Sequence, residues 1–192
     1  ILYDTLLNLL GGPQKEYEVK LSDEQLVTFD RHVIHKLKTL EEATPIVEET
    51  IRQKRKLLFV CNQVKRAQRL YMELHEKYPE VPSMLIHSRF KRGDRSRLEQ
   101  DLKEKYDKGT EACIVVSTQV VEVSLDISFD VMITECAPID SLIQRFGRIN
   151  RRRSYETIGQ QKPIYVLAPP DQEAECKPYE LDVLQRSFDA LK

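Results

Sequence analysis

Five short apolar runs set the frame into which the rest of this chain must fit: Leu57–Cys61 (LLFVC), Ser83–His87 (SMLIH), Ala112–Ser117 (ACIVVS), Asp130–Glu135 (DVMITE) and Pro163–Ala168 (PIYVLA). They are nearly continuous rather than alternating, which is how strands covered on both faces read. Helical patterns stand between them. Gln63 to Tyr78 places Val64, Ala67, Leu70, Tyr71 and Leu74 on one stripe and is stopped by Pro79, while Asp94 is placed to cap a segment from Arg95 to Lys108 that Gly109 ends. Strand alternating with helix over short connections predicts a mainly parallel sheet wrapped by helices, the doubly wound α/β arrangement. With 192 residues, 41% of them hydrophobic, the chain is long enough for one substantial core and a small appendage.

The ends do not share this rhythm. "LLNLLGGPQKEYEV" reads as a helix end, a turn and a strand, and "QLVTFDRHVIH" as a strand at the sheet edge. Residues 1–43 are therefore assigned to linker and edge elements, 44–170 to the main domain and 171–192 to an amphipathic C-terminal helix. The chain opens on Ile1 rather than Met, which reads as a piece excised from something longer. No apolar run approaches the roughly 20 residues of a membrane span, and the first residues lack the pattern of a signal peptide. Cys61, Cys113, Cys136 and Cys176 form no CxxC pair, and three of them lie in apolar runs. Reduced core thiols and a cytoplasmic setting are expected.

A net charge of −1, from 30 Lys+Arg against 31 Asp+Glu, excludes a uniformly basic nucleic-acid coat, so any such contact must be a local patch or a backbone-amide site. One place concentrates guanidinium groups: "IDSLIQRFGRINRRR", Ile139 to Arg153. Planar, permanently charged donors suit phosphate, and the bland alternative is a solvated basic helix end complementing the helix dipole. In an open parallel sheet, ligands bind outside the carboxyl ends of the strands. "CNQ", "HSR" and "STQ" each follow a core strand, so their polar residues converge on one rim. The four histidines, His32, His35, His75 and His87, are too scattered for a metal site and read as structural or surface residues. "KRGDRSRLEQDLKEK" reads as a solvated helix with i,i+4 pairs. There is no GxxxxGK[ST] phosphate loop and no DExD or DExH box; the one glycine pair, Gly11-Gly12, runs into Pro13.

Taken in chain order, "LLFVCNQVKRAQRLYMEL", "LIHSRFKRGDRSRLE", "STQVVEVSLD" and "QRFGRINR", spanning 57 to 151, resemble the fourth through sixth motifs of superfamily 2 helicases. The stretch "TQVVEVSLDISFDVMITECAPIDSLIQRFGRINR" is most similar to the CRISPR-associated helicase-nuclease of type I systems. Ser124 and Gln144 stand where DEAD-box RNA helicases usually carry Gly and His, which disfavours that alternative. A stand-alone α/β ligand-binding module is the alternative from another class. The resemblance implies a RecA-like, three-layer fold and the second of two motor domains of an ATP-dependent helicase. ATP and Mg²⁺ would be held mainly by the missing first domain, leaving this chain inactive as an ATPase alone. It further implies Arg148 and Arg151 as catalytic arginines; their separation of three places them on the same side of a helix or turn. Asp126, Gln144 and Gly147 would join the nucleotide, with Gly147 leaving room for close approach. Asp126 has a plainer reading as a cap or turn residue. Asn62, Gln63, Thr118 and Arg89 would hold the phosphates of a single strand of DNA, although Arg89 equally suits an internal ion pair. Arg145, Arg152 and Arg153 are read as packing or solvent residues. The partners implied are single-stranded DNA, the first RecA-like domain, a His-Asp nuclease domain in the same or a partner chain, and a CRISPR guide-RNA surveillance complex, with no membrane.

Overall fold

A computed structural model describes residues 21–27, 30–90, 92–107, 111–122, 127–152 and 157–191. Asp126, Ser124, Arg153, Gly109 and the segment "LLNLLGGPQKEYEV" lie outside the described residues. Six strands form one sheet: β1 (His32–Leu37), β2 (Lys56–Val60), β3 (Ser83–Ile86), β4 (Cys113–Ser117), β5 (Val131–Glu135) and β6 (Lys162–Leu167). Their order is β1-β6-β5-β2-β4-β3, and every pair is parallel. The five apolar runs are β2 to β6, each within a residue or so of its expected bounds.

The helices are α1 (Asp23–Val27), α2 (Thr44–Arg52), α3 (Val64–Lys77), α4 (Arg92–Asp101), α5 (Ile139–Phe146), α6 (Glu173–Cys176) and α7 (Leu181–Ala190). Alternate residues of each central strand feed opposite faces of the sheet, as the two-residue strand period requires. Leu58, Val60, Val115, Met132, Ile164 and Val166 pack with Leu142 and Phe146 of α5 and Leu184 of α7. Leu57, Phe59, Ile114, Val116, Val131 and Ile133 pack with Val47 of α2 and with Ala67 and Leu74 of α3. These are the three layers of a RecA-like domain.

Three local expectations are corrected. "QLVTFDRHVIH" is not one strand: Gln25–Val27 belong to α1, and the edge strand begins at His32, where its register with β6 starts at His32↔Lys162. The helix expected over 95–108 starts at Arg92 and changes at Leu102 into a π-helical turn, Leu102–Asp107. The wider turn leaves Leu102 fully buried and brings the Tyr106 hydroxyl to the Ser83 carbonyl at 3.0 Å. Here the demand for burial overrides α-helical spacing. The third correction concerns the arginines: α5 ends at Phe146, Gly147 caps it, Ile149 bridges Phe129, and Asn150 turns the chain at φ 51°. Arg148 and Arg151 therefore share no helical face.

Candidate nucleotide and strand interface

Because β2, β4 and β3 are neighbours, the residues following them meet at one rim. The Gln119 side-chain amide donates to the Asn62 carbonyl at 2.9 Å, the Thr118 amide to Ile86 O at 3.3 Å, and Gln68 Nε2 lies 3.3 Å from His87 Nε2. The expected convergence of "CNQ", "HSR" and "STQ" is what the sheet order produces. Within the rim the side chains differ sharply. Asn62 is 7% exposed, its amide nitrogen donating to Cys136 O at 2.7 Å and its amide oxygen accepting from Arg145 at 3.0 Å. Even its backbone N–H is taken, by Glu135 Oε2 at 2.6 Å. Asn62 organises the rim from within. Gln63 donates to the carbonyls of Lys177 (2.9 Å) and Glu175 (3.3 Å), so the segment after β6 crosses this edge. Thr118 is 1% exposed, and its hydroxyl has no hydrogen-bond partner among the described residues. Leaving such a group unbonded costs about 1–3 kcal/mol. Arg89 is exposed.

His87 stacks on Phe90 with ring centroids 4.2 Å apart, and burial first, then the Arg89 charge, lowers its pKa, favouring the neutral ring. The other histidines are also engaged: His32 with Ile149 O at 2.9 Å, His35 against Tyr165, and His75 with Ser83 and Tyr71. All four cysteines are free and buried; burial pushes the Cys136 thiol up to about 12 and the Cys61 thiol well above its ordinary value.

The arginine segment lies at the other end of the sheet. The Asn150 side-chain amide donates to Gln160 O at 2.8 Å and Arg31 O at 3.1 Å, just ahead of β6 and β1. Phe129, just ahead of β5, exchanges backbone hydrogen bonds with Arg148 (3.0 Å) and Asn150 (3.2 Å). Arg148 is 8% exposed and donates from Nη2 to the Glu122 carbonyl at 2.7 Å. Arg151 is exposed, its backbone N–H on Ser128 Oγ at 3.1 Å. Gln144 is exposed on α5. Gly147 sits at φ −60°, and a Cβ built there would meet only Gln144 O at 3.4 Å and Ile143 O at 3.6 Å. Among the described residues neither the backbone angle nor these ordinary contacts requires glycine at this position.

One residue here had a larger role than the sequence reading gave it. Arg145 is fully buried and makes four hydrogen bonds, to Glu122, Thr134, Glu135 and Asn62. The signal was present: Arg145 stands between Leu142 and Phe146 on the buried stripe of α5, where an arginine needs a carboxylate nearby. Nothing local, however, identified Glu122 as that carboxylate.

With this geometry, residues 53–154, more than half of the chain, match the family described as CRISPR-associated nuclease/helicase Cas3, C-terminal. The chain belongs to the Cas3 nuclease/helicase family. A Cas3 relative described as a putative CRISPR-associated nuclease/helicase, from Myxococcus xanthus, is 37% identical over 140 residues, covering 72% of this chain and 18% of the relative. The crystal structure of T. fusca Cas3 with ADP superposes with a TM-score of 0.68 at 26% identity, over 81% of this chain and 21% of that one. A chain in a structure described as a CRISPR RNA-guided surveillance complex, pre-nicking, also matches, with a TM-score of 0.65 at 25% identity, over 83% of this chain and 22% of that one. The chain thus spans about a fifth of the length of these matches.

Proposed function

We propose that this chain is the second motor domain of an ATP-dependent translocase of single-stranded DNA acting in type I CRISPR interference. The observation that carries the reading is the division of the candidate set between two ends of one parallel sheet. A rim with the buried Thr118 hydroxyl lies at the carboxyl edge, while the backbone of Arg148 and Arg151 runs at the amino edge, from which the Arg148 side chain reaches back to the Glu122 carbonyl. Short hydroxyl and amide groups with backbone N–H groups grip phosphates without reading sequence, which suits a motor domain of net charge −1. In this reading Thr118 and Arg89 face the strand, while Asn62 and Gln63 set the rim behind them.

ATP, when bound, supplies a γ-phosphoryl group whose transfer to water spreads negative charge over its oxygens. In this reading Arg148, buried and donating to a main-chain carbonyl, and the exposed Arg151 supply the planar donors that meet such charge. Gly147 leaves space beside them, and Gln144 and Asp126 complete the nucleotide contacts. The chain carries no GxxxxGK[ST] loop and no DExD or DExH box, so Mg²⁺ is assigned to the first RecA-like domain. On that assignment the isolated domain hydrolyses no ATP and binds single-stranded DNA weakly, with strong salt dependence. The surveillance complex and a His-Asp nuclease domain are its proposed partners.

The test is ATP hydrolysis and single-stranded DNA binding by the full-length protein. R148A and R151A should each lower hydrolysis by about 10³–10⁵-fold, or roughly 4–7 kcal/mol, with DNA affinity nearly unchanged. R148K and R151K should not rescue, because a point charge cannot replace the planar fork. R152A, at an exposed neighbour, should be close to silent. Equal small effects at all three positions would refute the assignment.

A further inference from the structure

We propose that Arg145 is a positioning residue that sets Arg148 through Glu122 and ties that setting to Asn62 at the strand rim. The inference rests on the reading of Arg148 given above. A fully buried guanidinium costs several kcal/mol unless it is paired and hydrogen-bonded, and at this site in the apolar stripe of α5 a leucine or methionine would pack at no such cost. The arginine is therefore placed for what it joins.

Its Nε donates to Glu122 Oε1 at 2.8 Å, Nη1 to Thr134 Oγ1 at 2.9 Å and Glu135 O at 3.1 Å, and Nη2 to Asn62 Oδ1 at 3.0 Å. The four acceptors come from three separate segments: the turn after β4, the end of β5 and the turn after β2. Glu122 faces two ways. Its carboxylate receives Arg145, while its carbonyl receives Arg148 Nη2 at 2.7 Å. Glu122 also closes the short 3₁₀ segment Gln119–Glu122 that directly follows Thr118, and Gln119 returns to the Asn62 carbonyl at 2.9 Å. A closed circuit results, running Asn62, Arg145, Glu122, Gln119 and back, with Arg148 attached at Glu122. A shift of the rim on gripping a strand displaces the carbonyl that holds Arg148. The planar fork is essential, since lysine cannot reach three segments at once from one rigid head.

The experiment is a double-mutant cycle in the full-length protein, with E122Q and R145K made alone and in an R148A background. ATP hydrolysis is measured with and without single-stranded DNA, alongside the ATP KM and the thermal midpoint. Each substitution alone should lower strand-stimulated kcat by about tenfold with the ATP KM within about twofold, and E122D should recover part of the loss. In the R148A background the further loss should vanish, because the residue through which both act is gone. The same loss in both backgrounds, or a lowered thermal midpoint with unchanged rates, would overturn the relay and leave a structural strut. So would failure of E122Q, R145K and E122D alike to fold. A silent R148A removes the arginine reading itself, whereas an impaired R148A with additive E122Q removes the relay alone.

Discussion

Asp130 shows how much a single side chain can hold together where the sheet begins. Its carboxylate accepts from Lys162 Nζ at 2.8 Å and from the Lys56 backbone N–H at 3.0 Å, so it ties the first residues of β6 and β2 to the entrance of β5. Burial alone would push its pKa up, but the hydrogen bonds and charges of Lys162 and Lys56 outweigh it and hold the carboxyl below its ordinary value. The sign of the pH effect follows. A depressed carboxylate stabilises the fold fully above the ordinary Asp range near about pH 4 and loses that contribution as pH falls through the native value. D130N should therefore cost about 1–2 kcal/mol at pH 7, and the gap to the parent protein should narrow in urea titrations at about pH 3. A gap that stays constant, or widens in acid, would show that the ion pair is not its source.

At the scale of an element, the turn closing α5 is held by one residue in an unusual conformation. Asn150 combines φ 51° with two side-chain hydrogen bonds to Arg31 and Gln160. N150G loses the bonds but keeps the backbone freedom, whereas N150A loses both. Chemical denaturation should place N150A about 2–3 kcal/mol below the parent and N150G about 1 kcal/mol above N150A. If the two variants are equally stable, backbone conformation is not what the asparagine supplies. This turn also marks where reading the chain alone reached its limit. Strands β2 to β6 and helix α3 were legible because an apolar run or stripe is a local signal, one that survives without knowledge of neighbours. The rim at "CNQ", "HSR" and "STQ" was legible for the same reason, given a parallel sheet. The end of α5 was not. Nothing within "QRFGRINR" says that Ile149 will bridge Phe129, and that long-range pairing breaks the helical spacing on which Arg148 and Arg151 were expected to align. Asn62 likewise read as a strand contact because its partners, Arg145 and Cys136, are 83 and 74 residues away.

For the molecule as a whole, the pairing of β1 with β6 has a kinetic meaning. His32 lies opposite Lys162 and Leu37 opposite Leu167, and among the described residues β1 borders no other strand. During synthesis the earlier strand must wait until some 130 later residues have left the ribosome before it finds β6, and closing so large a loop is entropically slow. β2, β4, β3 and β5 face no such delay with one another. A chain arrested just before Lys162 should therefore collapse around those four strands while leaving β5 as an open edge and β1 without a seat. Pulsed proteolysis of stalled chains reads this directly: residues 32–37 should be cut until β6 emerges, then become resistant together with it. Resistance of that segment before Lys162 is made would mean that β1 docks in another way first.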